Sequence, residues 1–294
     1  MIPSLLLQAV LSSAALVPGS VLASLASATA GLEYALSADR RRAVLSNLEQ
    51  IARSGHPLLA RRSSLGAAAR SIFKSYHRFL FEYFAQSALD ADALDHRFRF
   101  QGMERVYGAL SLDRGAVVAA PHLGNWELAG IALSRLGFRV HVVTGVQFHA
   151  RWTRTARALK ERERIRVSHP REGYSPLVST LRGGGIVVLL VDGNVYLRSV
   201  RAPFFGRTVP FPLGPALLAR RASAPLLHAH AEREARGCHL VSFDGVEHSD
   251  RSLPLMEDLQ RLTRRMAEAQ ERAIAMHLDQ WCIFRPIFRD ADAA

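Results

Sequence analysis

From Phe98 onward, short β-branched apolar runs alternate with stretches of helical spacing, and this alternation restricts the fold more than any other feature. Residues 115–120 (GAVVAA), 139–146 (RVHVVTGV), 164–169 (RIRVSH) and 186–192 (IVVLLVD) read as strands. Residues 225–233 and 238–245 read as two more, the second placed to pair with the first. Helices fill the gaps at 127–137, 150–163, 175–185 and 214–223, and a last one runs from about Leu255 to Leu278. Apolar strands separated by crossover helices predict an α/β fold with a mainly parallel central sheet flanked by helices.

The N-terminal third has another texture. Its first charged side chain is Glu33, and residues 1–32 are apolar or small and polar. The length suffices to cross a bilayer, but Pro18-Gly19 divides it and no basic segment precedes it as in a secretory signal. Two short helices lying on or dipping into a membrane are the expectation, ahead of a spanning helix or a buried hairpin. Arg40, Arg41 and Arg42 then open a helix carrying Val44, Leu45, Leu48 and Ile51, a pattern suited to an anionic membrane surface. Residues 64–87 give a further helix with Ile72, Phe73, Tyr76, Phe79, Leu80, Tyr83 and Phe84 at helical spacing, a stripe for the core or for lipid. The chain thus divides into a helical, membrane-associating region (1–97) and an α/β core (98–294).

Charge narrows the partners. The net charge is +12, carried by arginine apart from Lys74 and Lys160, which suits phospholipid, an acidic or phosphorylated substrate, or nucleic acid. The arginines are spread along the chain without interleaved aromatics, which argues against nucleic acid. The two cysteines, Cys238 and Cys282, lie far apart in no CxxC pattern, so neither a disulfide framework nor a cysteine-based zinc site is expected.

The chemistry concentrates in PHLGNWELAG, residues 121–130. An apolar strand delivers His122 to the carboxyl edge of the sheet, where open α/β folds bind ligands. On one helix, residues five apart point in different directions. With His122 in the turn and Glu127 in the first turn of the next helix they can meet, the carboxylate holding one ring nitrogen and leaving the other to take a proton. Asn125 is placed to cap that helix. A capping turn with a satisfied histidine and a surface glutamate is the alternative.

HLGNWE resembles the signature of the lysophospholipid acyltransferase superfamily, in its lipid A biosynthesis lauroyl and myristoyl acyltransferase branch. VLLVDGN (188–194), the block 200–227 with its PFFGR, DQWCIFRPIF (279–288) and RRRAVLSNLE (40–49) are similar to further family segments in the family's order. The family's Asp-Gln pair stands here as Asp192-Gly193.

The resemblance implies acyl transfer from a thioester, on acyl carrier protein or coenzyme A, to a hydroxyl or amine of a membrane glycolipid or lipid A-like acceptor. It implies no cofactor, and a place at the cytoplasmic face of a bacterial inner membrane. His122 would be the base and Glu127 its support. Asp192 would border the substrate, Phe205-Gly206 amides or those near Gly124 and Asn125 would bind the oxyanion, and Phe204 and Phe205 would line an acyl groove or pack in the core. Arg207 would meet a phosphate. Arg157 is the choice from a stripe of Arg151, Arg154, Arg157 and Lys160, three apart, facing headgroups or carrier protein. His228 and His230, two apart on a strand, are expected to bind no metal, since no acidic or cysteine partner is evident nearby. A catalytically inactive membrane-surface protein on the same fold is the competing function.

Overall fold

A computed structural model describes residues 19–59, 62–85, 96–145, 150–192, 198–234 and 237–288. Three helices come first: α1 (Gly19–Leu36), α2 (Ala38–Arg53) and α3 (Arg62–Ala85). Then follow β1 (Phe98–Gln101), α4 (Met103–Leu110), β2 (Ala116–Ala120), α5 (Trp126–Arg135), β3 (Val140–Val143), α6 (Ala150–Arg162), β4 (Arg166–Ser168), α7 (Ser175–Arg182) and β5 (Ile186–Leu190). The chain continues through β6 (Ser199–Phe204), β7 (Arg207–Pro212), α8 (Gly214–Ala222), β8 (Leu226–Arg233), β9 (His239–Glu247) and α9 (Leu255–Met276).

Seven strands form one sheet in the order β1-β9-β8-β2-β5-β3-β4. All neighbours are parallel except β8 and β9, the hairpin anticipated from sequence. β6 and β7 pair separately as a hairpin that the sequence did not reveal. Its two turn residues, Phe205 and Gly206, both have positive φ, as a tight turn matched to strand twist requires.

β2 is buried at every position, and its alternate side chains serve two different cores. Val117 and Ala119 face a cluster with Val44, Leu48, Ile51, Phe73, Phe204 and Trp281; Ala116 and Val118 face one with Phe79, Tyr83, Leu128, Ile131 and Phe243. Helix α3 contributes to both, so its aromatic stripe is core. Strand periodicity of two makes this two-sided burial possible, and only a continuously apolar strand tolerates it.

Among the described residues no single helix is long and apolar enough to cross a membrane; α1 and α2 form a bent pair at 93°. Residues 1–18, with Pro18 of the expected break, lie outside the described part. The arginine triplet is not one basic face. Arg40 turns inward, pairing with Glu33 and lying 3.8 Å over the Phe284 ring. Arg41 donates to the Ala35 carbonyl at 3.0 Å, while Arg42 is exposed and pairs with Asp39. Successive helical residues point about 100° apart, so three in a row cannot share one face.

Candidate active site

β2 and β5 are paired neighbours, and each ends at the same edge of the sheet. His122 follows the first by two residues and Asp192 follows the second by two, so strand register alone brings them together. The His122 ring Nδ1 lies 2.7 Å from Asp192 Oδ1, and the His122 backbone N–H donates to Oδ2 at 2.9 Å. The Trp281 indole N–H donates to the same Oδ2 at 2.8 Å. Burial by itself would push the Asp192 carboxyl up, but the His122 charge, its hydrogen bonds and the indole outweigh it and hold the carboxyl below its ordinary value. A carboxylate held ionised at Nδ1 fixes the tautomer that leaves Nε2 as acceptor. Among the described residues Nε2 has no hydrogen-bond partner, and the side chain is 25% exposed.

The turn carrying His122 is locked from below. Gly124 has φ +60°, and a Cβ there would sit 2.3 Å from the Ala231 carbonyl oxygen on β8. Its N–H donates to the Gln280 carbonyl at 3.1 Å, and the Cys282 N–H donates to the His122 carbonyl at 2.8 Å. Gln280 in turn brackets Arg233, accepting its N–H at 2.7 Å and donating to its carbonyl at 3.0 Å. The segment after α9 therefore fixes both His122 and Asp192. The sequence singled out DQWCIFRPIF without revealing this task, because the contact spans 89 residues of chain.

The expected His122–Glu127 contact is not formed. Glu127 sits in the first turn of α5 as anticipated, but its carboxylate turns to Lys160 of α6, 2.9 Å away, and both side chains are buried. Asp192 occupies the place at Nδ1 that spacing assigned to Glu127. Asn125 does cap α5, accepting the Leu128 N–H at 3.2 Å. Its amide donates to Glu82 Oε2 at 3.0 Å, and Glu82 forms a paired contact with buried Arg233, with Nε and one terminal nitrogen each at 2.7 Å. Burial would raise the Glu82 carboxyl, but Arg233 holds it below its ordinary value. Neither Glu82 nor Arg233 carried any sequence signal.

Other expectations need correcting. The Phe205 N–H is taken by Glu271 Oε2 at 2.7 Å and its carbonyl by Gln50 at 3.0 Å, while a Cβ on Gly206 would meet Ser54 at 3.5 Å. This hairpin turn is tied to α2 and α9, and the Phe205 amide is not available to an oxyanion. Phe204 and Phe205 are core, packed with Phe211, Trp281 and Phe288 beneath the site. Arg207 donates to the Phe288 carbonyl at 3.2 Å, holding the C-terminal segment. Arg157 is exposed and pairs with Glu161 at 2.7 Å, whereas Lys160 is buried. A three-residue step on a helix drifts by about 60°, so Arg157 and Lys160 diverge. Arg151 and Gly193 lie outside the residues whose side chains or placement are described. Buried Cys282, its thiol pushed up to about 12 by burial, is no nucleophile.

An α/β sheet that presents an aspartate-held histidine at the ends of two adjacent parallel strands has the layout of an enzyme using a histidine base. Residues 3–290 match the family described as bacterial lipid A biosynthesis acyltransferase, and the chain belongs to that family. It is an acyltransferase of lipid biosynthesis. The chain is similar to the phosphatidylinositol mannoside acyltransferase of Mycobacterium tuberculosis, 27% identical over 236 residues that cover 72% of this chain and 67% of the relative. It is also similar to the enzyme of that name from Mycolicibacterium smegmatis, 25% identical over 233 residues covering 74% and 71%.

Proposed function

We propose that this acyltransferase moves a fatty acyl chain from acyl carrier protein or coenzyme A to a hydroxyl or amine of a membrane glycolipid, with His122 as general base. The observation that carries this reading is the 2.7 Å bond between His122 Nδ1 and buried Asp192, with the ring reaching solvent. An alcohol attacks a thioester poorly until its proton is removed during attack. His122 Nε2 takes that proton as the acceptor oxygen bonds to the thioester carbon. The tetrahedral intermediate then expels the thiolate, which receives the proton from the imidazolium. Ionised Asp192 balances the imidazolium charge, the task spacing had assigned to Glu127. The Glu127–Lys160 pair positions the first turn of α5 behind the histidine. The acceptor class follows the relatives' printed name and the family's: a mannosylated phosphoinositide or a lipid A-type glycolipid.

Helix α1 is the membrane-facing element in this reading. Its exposed large side chains are Val21, Leu25, Leu32 and Leu36, which fall within about 60° on a helical wheel. The positions exposed alongside them are Ser24, Ala28, Gly31 and Ala35, so the whole strip lacks charge. An uncharged apolar strip beside exposed Arg42 suits the interface of an anionic membrane. Use of a thioester donor supports a place at the cytoplasmic face of the bacterial inner membrane.

The test is acyl transfer by the purified chain, supplied with acyl-coenzyme A or acyl carrier protein and with each glycolipid, read by mass spectrometry. One added acyl group, lost in His122→Ala, is expected. A folded chain that acylates neither glycolipid from either donor overturns the reading.

A further inference from the structure

A second cluster of titratable side chains lies on β8, outside the site just described. His230 and Glu232 are two apart and so share a face of the strand, and His277 caps the C-terminal end of α9 against them. One ligand atom from each of His230, Glu232 and His277 lies within 4.8 Å of the other two. His230 Nε2 is 4.0 Å from Glu232 Oε2, and Glu232 Oε2 also contacts His277 Nε2. The two imidazoles are 5.7 Å apart between centroids and inclined at 31°. His230 Nδ1 meets Asp244 Oδ2, from the paired strand β9, at 2.7 Å.

We propose that His230, Glu232 and His277 bind a divalent transition-metal ion of the zinc type, with Asp244 orienting His230. Two imidazoles and one carboxylate form a borderline N₂O donor set that suits such ions and leaves a fourth position for water. Donors about 2.1 Å from a tetrahedral ion stand about 3.4 Å apart. The 4.0 Å pair needs to close by half an ångström or so, and the Glu232–His277 contact needs to open, both within the reach of side-chain rotation. A carboxylate on the remaining nitrogen of a ligating histidine fixes its tautomer and raises its basicity, which is the position Asp244 holds. The sequence expectation of no metal passed over Glu232, two residues along the same strand; folding adds Asp244 from β9 and a third ligand, His277, 45 residues from Glu232.

The position gives the ion a structural task. Glu232 directly follows Ala231, whose carbonyl packs against the turn glycine Gly124. His277 directly precedes the Leu278–Gln280 turn that leads into Trp281, the indole donor to Asp192. A metal bridging the two would clip α9 to the sheet and steady both supports of the His122 turn.

The full-length chain, untagged and stripped with chelator, is titrated with Zn²⁺ and, in parallel, with Co²⁺ while the visible absorbance is read. One equivalent bound at micromolar or tighter dissociation constant is expected, with Co²⁺ bands of a low-coordinate site and a metal-dependent rise in Tm. Glu232→Gln and His277→Ala should weaken Zn²⁺ binding at least about tenfold, and Asp244→Asn by about 10-fold to 100-fold. Should either ligand variant misfold, the Asp244→Asn titration carries the same decision. Absence of stoichiometric binding to the wild-type chain overturns the proposal. So does wild-type affinity retained in the folded ligand variants or in Asp244→Asn, which would leave His230, Glu232 and His277 as a hydrogen-bonded network only.

Discussion

Among the described residues two histidines rest on aspartates at the same distance. His122 Nδ1 meets Asp192 at 2.7 Å, and His230 Nδ1 meets Asp244 at 2.7 Å. The far side of each ring differs. Nε2 of His122 has no partner among the described residues and its side chain reaches solvent; the His230 side chain is 4% exposed and its Nε2 faces Glu232 and His277. The Asp–His pair by itself therefore assigns no chemistry. It fixes a tautomer, and the surroundings of the other nitrogen decide whether the lone pair is offered to a substrate proton or to a metal.

The largest expected effect breaks this comparison at His122. His122→Ala should lower acyl transfer by about 10²–10⁴-fold, the range for a positioned base, with circular dichroism unchanged. His122→Gln should slow transfer while bound metal stays as in wild type, whereas His230→Gln should shift metal content and Tm. If His122→Gln changed the bound metal, or His230→Gln left it unchanged, the two pairs would not be doing different work.

Asp192→Asn should follow closely, costing up to roughly 10⁴-fold, because the amide can hold the wrong tautomer and cannot balance the imidazolium. Glu127→Gln should cost far less, because its carboxylate pairs with Lys160 and not with the ring. Transfer lost with Glu127→Gln and kept with Asp192→Asn would restore the assignment that spacing suggested.

Lys160→Met leaves the buried Glu127 charge uncompensated and should destabilise by about 3–5 kcal/mol in urea unfolding. The double variant with Glu127→Gln should recover much of that. Trp281→Phe keeps the packing and removes the indole donor. It should cost about 1–3 kcal/mol and slow transfer several-fold, less than Asp192→Asn does, since the His122 N–H still holds the carboxylate.

A last effect, spread over pH and not tied to one substitution, is a pH dependence of stability. Burial lowers His141 and His239 from 6.5 to about 4. His141 is satisfied as a neutral ring by Thr180 at 2.7 Å and Ser168 at 3.0 Å. Both groups take a proton more readily unfolded than folded. The stability they contribute is whole above about pH 6.5 and is lost as pH falls to about 4. Urea midpoints at pH 7.5, 6 and 5 should decline in that order. A flat series would mean that these rings are not held neutral.

What was legible in the sequence is what period and local chemistry encode. Most strands and helices from 115 to 278 were readable because burial imposes a period of two or 3.6 on neighbours in the chain. β1 and α4, short and of mixed polarity, left no such trace, and neither did the β6–β7 hairpin, whose Phe205-Gly206 turn lacks the usual Asn-Gly or Asp-Gly signal. His122 at a strand end and Asn125 as a helix cap were legible for the same local reason. The partner of the histidine was not. Glu127 is five residues away and Asp192 is 70, and spacing favours the near one. Only the pairing of β2 with β5 sets Asp192 beside His122, and only the packing of α6 supplies the lysine that draws Glu127 aside. The sequence determined which residues could do the chemistry; the register of the sheet and the neutralisation of buried charge decided which of them meet.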